Sequence, residues 1–382
     1  MKVCFVLHSS GKGGAERANL ELIDGLKNKE VKCFAILPSY GVLVKELEKR
    51  NVPLKIVPFK RWVAEEDSPL WKRVGRIILN LIMIAPVAIQ AKKWKVDVIY
   101  TNTITISIGA FAARILTLPH VWHIHEFGYE DYRLCFDLGV NISLKAIKQL
   151  SSICIANSDA VAKKYRKFIP NQKLKVIYQS VNISEQYSSE YSKYRKQMEK
   201  CSKVKGVIVG SLQKGKRQED AIKAVGELIH DGINVQLYII GESKPEYKQY
   251  LDSLIAKDSL EEYITFLGYI DNPFPVMQQV DFVLMCSKCE AFGRVTVEGM
   301  KAEKPVIGVR SGGTSELIKD NFNGLFYTFG NHLQLAEKIK YLYNHPEEAK
   351  RMGKNGKQWA TEKFNEERYA GEVIEVLRQV IG

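Results

Sequence analysis

The feature that most constrains this chain is an alternation of strand and helix that runs through its first half, breaks at a polar stretch, and then runs again. Short apolar runs at 3–8, 33–37, 54–58, 96–100, 121–125, 153–156 and 175–177 read as buried strands, with helical periodicity between them at 15–26 and 42–50. Strands separated by helices must lie parallel, so each half specifies a doubly wound α/β sheet. From 182 to 203 the chain is rich in Ser, Tyr and Lys and reads as a connector carrying some helix. The alternation resumes with strands at 204–209, 235–240, 263–266, 280–285, 305–309 and 325–327 and helices at 220–230, 247–257, from 294, 333–344 and 346–364. The expected organisation is a first Rossmann-like domain over 1–185, a linker over 186–203, a second domain over 204–365 and a terminal helix over 366–382. A length of 382 residues suits two domains of roughly 150–200 residues each.

Composition narrows the class. Hydrophobic residues make up 46% and charged residues 26%, enough apolar side chains for two cores. The first eight residues are too short an apolar run for a signal peptide and read as a first buried strand. The longest apolar stretch, 77–89, is interrupted by Asn80 and Pro86 and falls short of the ~18 residues that argue for a membrane span. Seven cysteines, among them Cys4, Cys33 and Cys154 in apolar strands, suit reduced core residues of a cytoplasmic protein. Cys286 and Cys289 have motif spacing but no second Cys/His pair beside them, so no metal site is expected.

The net charge is +13. Such a balance fits nucleic acid, an anionic membrane face or an anionic substrate, against the plainer reading of a solvated basic surface. Lys60, Arg61, Lys72, Arg73 and Arg76 alternate with Trp62, Trp71 and Ile77. Cations mixed with indoles suit the headgroup layer, so an anionic membrane surface is an expected partner.

Three segments can carry chemistry. In S-K-C-E-A-F-G-R-V-T-V-E-G-M, Glu290 stands at the mouth of a strand-to-helix turn and Glu298 about two helical turns further on. Ligands of open α/β sheets bind outside the carboxyl ends of strands, where N–H groups at a helix start hold phosphate and a carboxylate can accept from hydroxyls. That arrangement suits a sugar nucleotide, while the plain alternative is two solvated surface acids. The loop H-S-S-G-K-G-G-A-E-R fails as a dinucleotide fingerprint, because Glu16 stands where the third glycine belongs, and fails as a Walker A loop. What remains is Gly13 and Gly14 before a helix, a tight turn or an anion site. In V-I-V-G-S-L-Q-K-G-K-R-Q-E-D, a basic side chain is placed to neutralise a diphosphate leaving group.

The Glu290 segment resembles the E-x7-E signature of the retaining glycosyltransferases of the GT-B class, in particular glycosyltransferase family 4 of the bacterial capsule and exopolysaccharide type, and Phe292, Gly293, Gly299 and Met300 match as well. The resemblance implies two facing Rossmann-like domains, the first (1–185) on the acceptor side and the second (204–365) binding the nucleotide-sugar donor, with the terminal helix crossing back to the first. It implies catalytic roles for Glu290, His125 and Lys216: Glu290 orients sugar hydroxyls, His125, followed by the acidic Glu126, binds the transferred sugar, and Lys216 meets the diphosphate. Ser211 stands where the family has an arginine, leaving Lys216 alone or with Lys214 or Arg217 as its substitute. Donor-binding places fall on Gly13, Gly14, Ser211, Arg217, Gly241, on Tyr269 and Ile270 near the base, on Phe292, Gly293, Arg294 and Val295 at the phosphate, and on Glu298 at the ribose. No Asp-x-Asp occurs to hold a divalent cation, so neither metal nor other cofactor is expected. The implied partners are a UDP- or GDP-sugar donor and a sugar or lipid-linked acceptor, with no nucleic acid, at a cytoplasmic or peripheral inner-membrane location. Rival readings are a basic nucleic-acid-binding or assembly protein with a degenerate site, and a nucleotide-sugar 2-epimerase. A phosphorylase would need a pyridoxal-phosphate lysine and a longer chain.

Overall fold

Near-continuous Val, Ile and aromatic runs such as V-I-Y-T-N and F-V-L-M are buried along their whole length, as parallel strands covered on both faces must be. A computed structural model describes residues 1–66, 68–184, 189–242 and 244–382. The chain divides into two units, Met1–Val181 with Phe364–Gly382, and Asn182–Lys363.

The first unit holds β1 (Lys2–Val6), β2 (Lys32–Leu37), β3 (Leu54–Ile56), β4 (Val63–Glu65), β5 (Val98–Asn102), β6 (His120–Ile124), β7 (Leu134–Phe136), β8 (Ile153–Ala156) and β9 (Leu174–Val176). Seven of these form a parallel sheet in the order β3-β2-β1-β5-β6-β8-β9. The strand order reverses between β1 and β5. The short strands β4 and β7 pair antiparallel as a separate two-stranded ladder, a piece that the apolar runs did not disclose.

The second unit holds β10 (Val204–Val209), β11 (Val235–Ile240), β12 (Ile264–Gly268), β13 (Phe282–Met285), β14 (Val306–Val309) and β15 (Gly324–Tyr327). Its six-stranded parallel sheet runs β12-β11-β10-β13-β14-β15, with the order reversing between β10 and β13. Of the expected linker, 186–188 lie outside the described residues, and Ser189–Lys200 is a helix of the second unit whose Met198 is fully buried.

The final helix, Glu366–Ile381, belongs to the first unit. Asn365 caps it by accepting from the Arg368 N–H at 2.8 Å. Tyr369, Ala370, Val373, Ile374, Val376 and Leu377 form a buried stripe against the helix Gly14–Asn28. Gly25 makes that approach possible, since a Cβ there would stand 2.7 Å from the Ala370 Cβ. Phe364, fully buried, ties the return: its carbonyl accepts from the Val181 N–H at 3.1 Å.

The apolar 77–89 stretch lies inside a single helix, Leu70–Trp94, of 25 residues. By length and composition it is apolar enough to cross a membrane, contrary to the expectation from its interruptions. One face is nevertheless part of the core, with Ile84, Val87, Ala88 and Ala91 packed beside the helix Ile108–Leu116. Asn80 also faces inward, accepting from the Lys60 N–H at 2.8 Å.

Candidate functional site

In the second unit, the loops after β10 and β13 flank the point where strand order reverses, which is where an open α/β sheet leaves a crevice. Each loop brings one of the expected residues. Lys216 Nζ donates to Glu290 Oε1, joining side chains 74 positions apart, with Lys216 25% and Glu290 16% exposed. The two loops are also tied by backbone, the Lys288 N–H donating to the Gly215 carbonyl at 3.1 Å.

Glycines shape this crevice by close backbone approach. Gly210 ends β10 at φ 150° and Gly241 ends β11 at φ 151°; a Cβ on Gly241 would meet the Gly210 carbonyl oxygen at 2.0 Å. Behind the Glu290 turn lies Gly312-Gly313. A Cβ on Gly312 would stand 2.5 Å from the Glu290 carbonyl oxygen, and one on Gly313 2.6 Å from that of Phe292. The Gly313 N–H instead donates to the Glu290 carbonyl at 2.7 Å, so this pair holds the backbone of the turn in place.

The turn leads into the helix Arg294–Lys301 through Gly293 at φ 95°, a left-handed conformation that suits glycine. Gly293 offers no side chain to cap the helix start, and its carbonyl accepts from the Thr296 N–H at 3.0 Å. Beside it, Thr296 Oγ1 and Thr314 Oγ1 are buried without a hydrogen-bond partner, 3.5 and 3.7 Å from where a Gly293 Cβ would stand. Phe292 is buried, Val295 half-buried, and Arg294 directs its Nε toward the buried Glu298, 3.9 Å from Oε1. An uncapped helix start with unsatisfied hydroxyls can accept an anion.

The other donor-side expectations separate. Arg217 pairs with Asp220 at 2.6 Å and Glu219 at 2.9 Å and lies over the Phe329 ring, so its charge is already engaged. Ser211 is exposed, and its carbonyl accepts from Gln218 Nε2 at 3.1 Å. Tyr269 and Ile270 follow β12 at the sheet edge, Tyr269 half-exposed with its hydroxyl donating to Asp271 at 3.1 Å and Ile270 buried.

In the first unit, Gly13 and Gly14 open the helix Gly14–Asn28 as expected, but the loop is closed by its own acid. Glu16 reaches back to the Gly13 N–H, the reciprocal arm of a capping box, and stands 3.3 Å from His8 Nε2. Burial alone would raise its pKa, yet His8, the Ser9 hydroxyl and the N–H groups of Glu16 and Gly13 hold it below the usual carboxylate range. A phosphate bound here would take the position of this carboxylate. His125 follows β6, largely buried, its ring 4.0 Å between centroids from that of His123. His123 is structural, its Nδ1 sharing a 2.7 Å hydrogen bond with the Tyr100 hydroxyl. Glu126 folds its carboxylate inward onto the N–H groups of Ile104 at 3.3 Å and His125 at 3.2 Å.

Burial sets the titration of this unit. It lowers His8 to about 4, and lowers His120 and His123 to about 3, from an ordinary 6.5. Their contribution to stability is complete above the unfolded value and is lost as pH falls through the folded ones. Glu126 runs the other way: burial raises it from 4.5 to about 8 despite its two N–H donors. Its contribution is complete below 4.5 and is lost as pH rises through about 8. Urea midpoints should therefore fall on the alkaline side by a few kcal/mol in stability, at ~1.4 kcal/mol per pKa unit, and Glu126→Gln should flatten that limb alone. Parallel curves for the two proteins would show that Glu126 does not titrate as its burial demands.

Among the described residues, no group of three or more His, Cys, Asp or Glu is arranged to hold a metal ion. Sequence comparison matches the glycosyl transferases group 1 model over residues 192–359 and the glycosyltransferase family 4 model over 12–185. An uncharacterized glycosyltransferase of Methanocaldococcus jannaschii is 30% identical over 281 residues, covering 72% of each chain. The Campylobacter jejuni GalNAc-alpha-(1->4)-GalNAc-alpha-(1->3)-diNAcBac-PP-undecaprenol alpha-1,4-N-acetyl-D-galactosaminyltransferase is 25% identical over 366 residues, covering 94% of this chain and 93% of its own. The structure of Anabaena Alr3699/HepE in complex with UDP-glucose superposes with a TM-score of 0.82 at 25% identity, over 99% of this chain and 100% of the other. These matches favour neither the nucleic-acid-binding nor the epimerase reading.

Proposed function

Because the chain belongs to the family 4 and group 1 glycosyltransferases, with the GT-B fold and a nucleotide sugar as donor, we propose that it moves a sugar from a UDP-sugar, with retention at the anomeric carbon, onto a lipid-linked or polysaccharide intermediate. The observation that carries the site assignment is the Lys216–Glu290 pair at the point where strand order reverses in the second unit. UDP is preferred over GDP in this reading because the Anabaena relative binds UDP and UDP-glucose. The undecaprenol-linked substrate named for the Campylobacter relative supports a lipid-linked acceptor.

In the proposed mechanism the anomeric C–O bond to the diphosphate breaks first. Negative charge that builds on the departing phosphate oxygen is met by Lys216 Nζ and by the N–H groups of Phe292, Gly293 and Arg294 at the helix start. In the first unit, the Gly13-Gly14 turn is open to a phosphate only once Glu16 moves aside. Glu290 accepts from the sugar hydroxyls, Glu298 from the ribose, and His125 hydrogen-bonds the transferred sugar. The acceptor hydroxyl attacks the face the leaving group vacates, and its proton passes to the departing phosphate oxygen. Lys216 and helix N–H groups supply positive charge without a metal or other cofactor. Gly241 shapes the crevice wall, and Tyr269 and Ile270 flank the base. A cytoplasmic location at the inner membrane face accords with the buried thiols Cys4, Cys33 and Cys154.

The test is incubation with UDP- and GDP-sugars and a polyprenyl-diphosphate-linked saccharide. Nucleotide release and an anomeric proton of donor-like configuration in the product are expected. An inverted product would overturn retention, and release from GDP-sugars alone would overturn the donor assignment.

A further inference from the structure

The helix Leu70–Trp94 carries its most exposed apolar side chains in one stripe. Leu70, Trp71, Val74, Ile78, Leu81, Ile82 and Ile89 are all exposed, Trp71 by 71% and Ile89 by 68%. Gly75, Ala85 and Pro86, between them, are exposed too. From Val74 to Ile89 the outward face thus runs ~22 Å without an exposed charge. Soluble monomers rarely expose contiguous apolar patches beyond a few hundred Å², and larger ones mark interaction sites.

The cations of this segment sort by side. Arg76 Nε donates to Asp137 at 2.8 Å, and Arg73 donates to the carbonyls of Ser68 at 3.0 Å and Glu66 at 2.9 Å. Trp62, expected as an interfacial indole, is buried, donates to the Ile104 carbonyl at 2.6 Å and stacks on Trp122. Facing outward are Lys72, beside the Trp71 ring, at one end of the stripe and Lys92 and Lys93 at the other.

The geometry points to a bilayer-docking surface: the helix Leu70–Trp94 lies flat on a phospholipid membrane, its apolar stripe among the upper acyl chains and its terminal lysines in the headgroup layer. This names the partner of the acceptor side and rests on the reading of a lipid-linked acceptor. A span is ruled out by the inner face, which is built into the core through Ile84, Val87, Ala88 and Ala91. A second copy is disfavoured by charge. The helix contains no Asp or Glu, so either pairing of two such stripes would bring lysines against lysines or leave them without a partner acid. Because Arg73 and Arg76 are already engaged by the Ser68 and Glu66 carbonyls and by Asp137, attachment is chiefly apolar and outlasts high salt, with anionic lipid adding only a salt-sensitive increment.

The test is vesicle flotation of the full chain with phosphatidylcholine alone and with phosphatidylglycerol added, at low and high salt. Wild type should float with both and keep floating at high salt. Leu81→Glu/Ile82→Glu, which alters only exposed positions, should lower partitioning at least tenfold, and Trp71→Ser several-fold. Thermal unfolding and UDP binding should stay unchanged for both variants. Flotation that vanishes at high salt, or a wild type that does not float, overturns the proposal, as does a lipid-free dimer that the double variant disperses. Lost flotation with UDP binding intact would remove the docking surface alone; absent UDP binding would instead remove the glycosyltransferase reading.

Discussion

Glu290→Gln is expected to lower kcat by ~10²-fold or more while leaving the unfolding midpoint nearly unchanged. A carboxylate that accepts from the sugar hydroxyls matters most when the ring flattens and its charge grows, so the loss belongs to the transition state rather than to ground-state binding. The fold should tolerate the change. Glu290 is partly exposed, its partner Lys216 more so, and an ion pair in contact with water contributes only ~0–1 kcal/mol. The turn itself is held by the Gly313 N–H on the Glu290 carbonyl, which the substitution leaves in place. Steady-state transfer assays beside urea titrations decide the matter: an unchanged kcat removes Glu290 from the site, and a loss of several kcal/mol in stability makes its role structural.

Lys216→Ala is expected to weaken UDP binding by ~1.5–3 kcal/mol, about tenfold to 150-fold in Kd, with uridine binding almost unaffected. Two effects combine. The diphosphate loses a charge-assisted donor, and Glu290, no longer paired with Lys216, becomes a like charge beside the ligand. The second effect makes a sharper expectation: Lys216→Ala/Glu290→Gln should bind UDP more tightly than Lys216→Ala, since removing the carboxylate relieves the repulsion. Calorimetry of the four proteins closes this cycle. Equal losses for uridine and UDP, or strictly additive effects, would show that the diphosphate is held elsewhere. Arg217 is the natural place to look next, although Asp220 and Glu219 already engage it.

Much of this molecule was legible in residue order. Continuous apolar runs and period-3.6 patterning disclosed the two parallel sheets and the helix from Arg294, because burial of a whole strand or of one helix face writes itself locally into the chain. Gly241 at a strand end and Gly293 before a helix were visible as turn glycines, and at each a positive φ or a close backbone approach disfavours a side chain. The Glu290 turn and the Lys216 loop were visible as separate segments.

Tertiary structure alone decided how those segments meet and which way side chains turn. Lys216 touches Glu290 only because β13 pairs with β10, and no local pattern states which strand lies beside which. Glu16 stood in the sequence only as the residue that spoils a dinucleotide fingerprint; that it closes its own loop on the Gly13 N–H and beside His8 was decided by the folded chain. Trp62 and Arg76, alike in sequence to their neighbours Trp71 and Lys72, turned inward because Ile104 and Asp137, distant in the chain, offered them buried partners. Glu126 could be named from its neighbour His125, yet its elevated pKa arises from the desolvation that surrounding elements impose. Sequence encodes the period of each element through short-range sterics and local burial; pairing, orientation and dielectric are set by the packing of residues far apart in the chain, and become definite only when the whole core has closed.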